Sequence, residues 1–218
     1  MPVERAFDGG EVEINYALYD EVAGPPSRSG HPLVLLHGGS VRWQASMPIT
    51  GAFSKRCRVY APDLRGHGKS GRMPGHYAVS DFATDIGAFL EGEVKEPAVL
   101  YGHSLGGQVA IMVAALHPQL VAGLIIGDAP FERPKLKAAL ERRRELLIWK
   151  EMSGPGHTVE EVIEALKNMP IFAPGEDKQV RARALFGEDS PWFPYMAENL
   201  RLLDSNTLTA VIEFDKMH

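Results

Sequence analysis

The sequence predicts an α/β protein, a mostly parallel, doubly wound sheet followed by a helical subdomain. Two observations carry that reading. Short, continuous apolar runs alternate with helix-like segments over residues 1–131. From Glu132 to His218 the pattern changes to amphipathic helices punctuated by Pro and Gly. The expected units are therefore 1–131 and 132–218.

Each element follows from its residues. "EVEINYALYDEV" (Glu11 to Val22) alternates well enough for a strand with one wet face. "AGPPSRSGHP" is turn chemistry. "PLVLLHG" (Pro32 to Gly38) is an unbroken apolar run ending in glycine, the pattern of a strand buried on both faces. Arg58 to Asp63, Ala98 to Ser104 and Val121 to Ala129 repeat it. Between them, Gln44 to Ser54, Val79 to Leu90 and Gly106 to Leu116 read as helices. Ser80 and Asp81 suit the start of the second, with Phe82, Ile86, Phe89 and Leu90 at helical spacing. The stretch after Glu132 shows no clear buried strand.

Composition narrows the function classes. Hydrophobic residues at 44% and charged residues at 23% describe an ordinary globular protein. The net charge of −5, without a basic run, argues against nucleic acid and anionic membrane surfaces as partners. One cysteine, Cys57, rules out an intrachain disulfide and fits a reducing compartment. The N-terminus "MPVERAFDGG" has no apolar core for a signal peptide, and no window is apolar enough to cross a membrane. A cytoplasmic protein is expected, with no metal and no cofactor required.

The chemistry concentrates in "VLYGHSLGGQVA" (Val99 to Ala110). A strand, then Gly102-His103-Ser104-Leu105-Gly106, then a helix is the context of a nucleophile elbow. The turn cramps the serine backbone, and flanking glycines remove the clash. A helix beginning just after Ser104 aims its N–H groups and positive dipole end at the hydroxyl.

With these residues in view, the chain resembles the α/β-hydrolase family. "LLHGGS" (Leu35 to Ser40) is similar to that family's oxyanion turn after the third strand. "PDLRGHGKS" (Pro62 to Ser70) is similar to the loop after the fourth, "GHSLGG" to the elbow, and "LHP" (Leu116 to Pro118) to the end of the next helix. The resemblance implies acyl transfer: Ser104 attacks a carbonyl carbon, and backbone N–H groups hold the oxyanion. One donor is expected from Leu105, the other from Gly39 or, as second choice, Ser40. A serine at 104 argues against the family members that use an aspartate nucleophile. The helices after Glu132 stand where the family inserts a cap. Their large apolar residues, Trp149, Phe172, Phe186, Trp192 and Phe193 among them, are mostly expected to form the cap's own core. Those left over hint at a small, ester-like substrate that is apolar or aromatic. Esterases, lactonases, carbon–carbon bond hydrolases and perhydrolases share these motifs.

His37 and His103 are expected to brace their turns, and Asp63 and Arg65 to pair in the "RGHG" loop. The triad order of the family is Ser, acid, His. After Ser104 the chain has His117, His157 and His218. His117 ends the helix that leaves the elbow, His157 lies in a Gly-Pro-Gly turn, and His218 is terminal. None fits the family pattern. The acid in some members follows the sixth strand, where Asp128 stands; strand-end hydrogen bonding is the competing role. The resemblance implies two further strands, an acid turn, a histidine loop and a closing helix, none visible here. The expectation is a chain matching roughly the first three-quarters of a capped hydrolase. Such a chain would pair with a second chain supplying the missing strands, self-associate, or be the ordered part of something longer. A hydrolase-like protein that binds a ligand without turnover, or an inactive fragment, is the alternative function.

Overall fold

The computed structural model describes residues 2–20, 30–129, 136–172 and 179–214. It divides into two compact units, Met1–Phe131 and Glu132–His218.

The first unit is built on six strands: β1 (Val3–Asp8), β2 (Glu13–Tyr19), β3 (Leu33–Leu36), β4 (Val59–Pro62), β5 (Ala98–His103) and β6 (Val121–Gly127). Their order is β1-β2-β4-β3-β5-β6. β1 and β2 form an antiparallel hairpin, and β2 is antiparallel to β4. The β4-β3-β5-β6 block is parallel. Helices α1 (Met47–Phe53), α2 (Val79–Phe89) and α3 (Leu105–Leu116) make the crossovers. The chain steps from β3 outward to β4, then crosses back past β3 to β5. That reversal places a topological switch point beyond the carboxyl ends of β3 and β5, where open α/β sheets bind ligands. "HGGS" and "GHSLGG" leave the sheet at these two ends.

β2 corrects the expectation of a wet face: every residue after Glu13 is buried. Tyr16 packs edge-on against Phe89 at the end of α2, ring centroids 5.0 Å apart. On the opposite face, Ala17 and Tyr19 join Trp43, Leu33, Leu35, Val59 and Ala61. Layers on both sides of the sheet thus close over a strand whose alternation looked half-solvated. β1 was not anticipated. It is exposed at nearly every position, so it has no apolar period; backbone pairing with β2 holds it. α2 begins earlier than Ser80, with Ala78 as its N-cap and the Asp81 carboxylate accepting the Ala78 N–H at 2.8 Å.

The second unit contains α4 (Leu136–Glu151), α5 (Val159–Asn168), α6 (Ala182–Phe186), α7 (Trp192–Arg201) and α8 (Ser205–Phe214). Thr158 and Glu161 cap α5 reciprocally. Val162, Leu166, Phe193, Met196 and Leu200 are buried between the helices. Contrary to expectation, this unit also holds an antiparallel hairpin, β7 (Pro170–Phe172) with β8 (Gln179–Arg181). Three-residue strands are too short to show a period of two. "AVIEFD" (Ala210 to Asp215) lies in α8 as far as Phe214; Asp215 and His218 fall outside the described residues.

Candidate active site

Ser104 links β5 to α3 in a backbone conformation that side chains avoid, φ 50° and ψ −115°. Three hydrogen bonds hold it. Its N–H donates to the Gly127 carbonyl at 3.1 Å, and its carbonyl accepts from Gly107 at 3.0 Å and Gln108 at 3.3 Å. The serine is therefore tied to the end of β6 and to the first turn of α3. The flanking glycines are steric requirements. A Cβ on Gly102 would stand 2.2 Å from the Gly106 carbonyl oxygen, and one on Gly106 2.2 Å from that of Leu36. Sheet, elbow and helix meet without room for a methyl group.

The turn after β3 faces this corner. A Cβ on Gly38 would lie 3.3 Å from the Ser104 Cβ and 3.0 Å from His103 Nδ1. Gly38, singled out by no motif reading, is thus the residue of closest approach. Gly39 has nothing within 4 Å of its missing Cβ. Ser40 is buried with φ 66°. Among the described residues, the N–H groups of Gly39, Ser40 and Leu105 donate to no protein acceptor. Leu105 directly follows Ser104 in the chain, and Gly39 and Ser40 directly follow Gly38, the residue of closest approach.

His37 braces the turn. Its Nε2 accepts the Leu64 N–H at 3.0 Å, which leaves Nδ1–H to donate to the Gly38 carbonyl at 2.7 Å. Burial pushes its pKa down to about 4. His67, ring centroid 5.1 Å away, is pushed down to about 3 by burial and by that neighbour. Both rings are neutral at pH 7. His103 is exposed.

The expected Asp63–Arg65 pair does not form. Arg65, with no exposed side-chain surface, grips Asp85 through Nε and a terminal nitrogen at 2.5 and 2.6 Å and reaches Glu11 at 3.0 Å. Asp63 instead accepts from the Trp43 and Lys69 N–H groups and from Asn15 Nδ2. Two charged residues two apart on a tight turn point to different partners, and no sequence signal marked Asp85 or Asn15 as those partners.

Asp128, exposed and at φ 53°, directly follows the carbonyl that accepts the Ser104 N–H. His117 stands at the opposite end of α3, about 18 Å along the axis from the elbow by helix rise. Its ring fills the space beside Gly87 of α2. His157 belongs to the second unit, where a ring nitrogen lies 3.0 Å from the Glu151 carbonyl oxygen. No imidazole among the described residues is hydrogen-bonded to the Ser104 hydroxyl. Among those residues no cluster of His, Cys, Asp or Glu is suited to a metal ion, and no helix is long and apolar enough to cross a membrane.

A profile of the alpha/beta hydrolase family matches residues 33–216. The chain belongs to that family. All three loops of this alpha/beta hydrolase described above lie within the matched span. It is 32% identical over 142 residues to a 2-(acetamidomethylene)succinate hydrolase of Mesorhizobium japonicum, covering 65% of this chain and 48% of that one. A Yersinia enterocolitica protein named for carbamate hydrolysis is 32% identical over 205 residues, covering 92% and 63%. The crystal structure of E-2-(acetamidomethylene)succinate hydrolase superposes with a TM-score of 0.69 at 20% identity, covering 99% and 74%. A marine microorganism esterase does so with 0.69 at 19%, covering 96% and 72%. At such identities the likeness concerns the fold. The chain spans 30–48% of the length of the first curated relatives it matches.

Proposed function

We propose that this alpha/beta hydrolase is a serine hydrolase acting on a carboxylic ester or related acyl compound. The carrying observation is Ser104 at φ 50°, heading α3 with the Gly38 turn in close approach. In this reading Ser104 Oγ attacks the acyl carbon and its proton passes to a base as the bond forms. Leu105 N–H and the N–H of Gly39 or Ser40 receive the oxyanion. The alkoxide or amine then leaves with a proton, and water releases the acyl group. Asp128, one residue past the Ser104 anchor, is assigned as the acid that orients the base. The relatives include proteins named as a 2-(acetamidomethylene)succinate hydrolase, a carbamate hydrolase and an esterase, which supports transfer of an acyl group to water and no single compound. Cys57 is the single cysteine of the sequence, so no intrachain disulfide forms, which supports a cytoplasmic setting.

One observation favours a second reading, a binding protein without turnover: His117 and His157 are both engaged away from Ser104. A fluorophosphonate probe separates the two. Covalent labelling mapped to Ser104, and lost in Ser104→Ala, supports the hydrolase. A folded protein that resists the probe and leaves p-nitrophenyl butyrate intact supports the binder.

A further inference from the structure

The turn that carries Gly39 and Ser40 is clamped at both ends to two consecutive residues of a different loop. At its start, the His37 ring accepts the Leu64 N–H. At its far end, the Trp43 N–H donates to Asp63 Oδ1 at 2.8 Å. Leu64 and Asp63 both follow β4, so the loop after one strand sets the span of the turn after its neighbour. We infer that Asp63 is a positioning residue for the oxyanion donor of the Gly38–Arg42 turn, with His37 as its companion. The inference rests on the serine-hydrolase reading.

Asp63 is suited to that work because it is itself held from several directions. Its Oδ2 accepts from Asn15 Nδ2 at 2.8 Å and from the Lys69 N–H at 3.1 Å. Its own N–H donates to the Asn15 carbonyl at 2.8 Å, and its carbonyl accepts from the Ser70 hydroxyl at 2.7 Å. Asp63 is 1% exposed. Gly68, at φ 51°, makes the space for it: a Cβ there would overlap Oδ2 at 2.2 Å.

Burying a carboxylate is costly, and β2–β4 pairing, which runs through backbone groups, does not call for one. The carboxylate instead gathers donors from three separate segments, at Asn15, Trp43 and Lys69, onto one rigid acceptor. Between the two clamps Ser40 keeps φ 66°, a conformation that persists only where its surroundings over-determine it. The consequence for chemistry is geometric. A donor shifted by about 1 Å from a developing oxyanion forfeits about a hundredfold in rate.

Asp63→Asn preserves the shape but leaves one acceptor oxygen where two were used. In the full chain we expect kcat for p-nitrophenyl butyrate, and the rate of Ser104 labelling by a fluorophosphonate, to fall about a hundredfold. KM should stay within about threefold, because ground-state binding does not use the donor. Hydrogen exchange should rise in residues 38–43, with cooperative melting retained. His37→Leu should behave alike. His37→Gln, which restores an acceptor for the Leu64 N–H, should recover most of the loss. Should Asp63→Asn fail to fold, the Leu and Gln pair at position 37 decides. A wild-type chain that is not labelled at Ser104 would sink the hydrolase reading, and exchange at 38–43 would then decide the clamp alone. Labelling of Asp63→Asn at the wild-type rate with unchanged exchange overturns the inference. So does loss of folding in both Asp63→Asn and His37→Leu, since the residues would then serve the fold rather than the donor.

Discussion

Ser104 carries a backbone cost that its side chain does not repay in stability. A non-glycine residue in such a region costs on the order of 1–3 kcal/mol. Ser104→Ala should abolish turnover and leave that strain in place, whereas Ser104→Gly should abolish turnover and melt at a higher temperature than the alanine variant. Thermal unfolding of the two variants checks this; equal melting temperatures would mean the elbow stores no strain. At Asp128, replacement by Asn should lower turnover by orders of magnitude if the carboxylate orients the base. A loss under about tenfold would assign it to the strand end instead. The buried imidazoles predict a pH response of their own. His37 and His67 titrate near 4 and 3 in the fold, against about 6.5 when unfolded, so the unfolded chain binds more protons between those values. Their contribution is complete above pH 6.5 and is lost as pH falls towards 4 and then 3. It is on the order of 3 kcal/mol for His37. Asp63 and Asp85, both raised by burial, act in the opposite sense, since their folded forms take up protons more readily. Urea melts from pH 7 to pH 4 should show falling stability in the wild type and a shallower slope in His37→Gln.

Among elements, the junction of β5 with α3 tolerates least. Gly102→Ala or Gly106→Ala would drive a methyl group to 2.2 Å from a carbonyl oxygen. We expect each to cost about 1–3 kcal/mol and to abolish Ser104 labelling; wild-type labelling would refute the packing account. The parallel strands were legible because burial on both faces writes a continuous apolar run, as in "PLVLLHG". β1 and the β7–β8 hairpin were not, since β1 is exposed at nearly every position and three-residue strands are too short to show a side-chain period. Ser104 and its glycines were legible through their spacing. Asn15 and Trp43, far from Asp63 in sequence, were not.

At the scale of the whole molecule, β6 pairs only with β5 among the described residues, and its Leu124 and Ile125 remain 40% and 49% exposed. An apolar sheet edge recruits another strand. We propose that a second copy of this 218-residue polypeptide pairs along this edge. The purified 218-residue protein should elute above its monomer mass in size-exclusion chromatography, and Leu124→Lys with Ile125→Lys should shift it towards monomer. A wild-type monomer with serine-dependent esterase activity would refute the edge argument.

Sequence alone determined the α/β class, the parallel order of strand and helix, and the serine corner, because each is written in local spacing and steric need. Only the tertiary structure decided which donors stay uncommitted, that Asp63 takes Trp43 and Asn15 instead of Arg65, and that His117 faces α2 at the far end of its helix. Those outcomes depend on which distant segments folding brings within about 3 Å, a distance that hydrogen bonds resolve and local patterns do not encode.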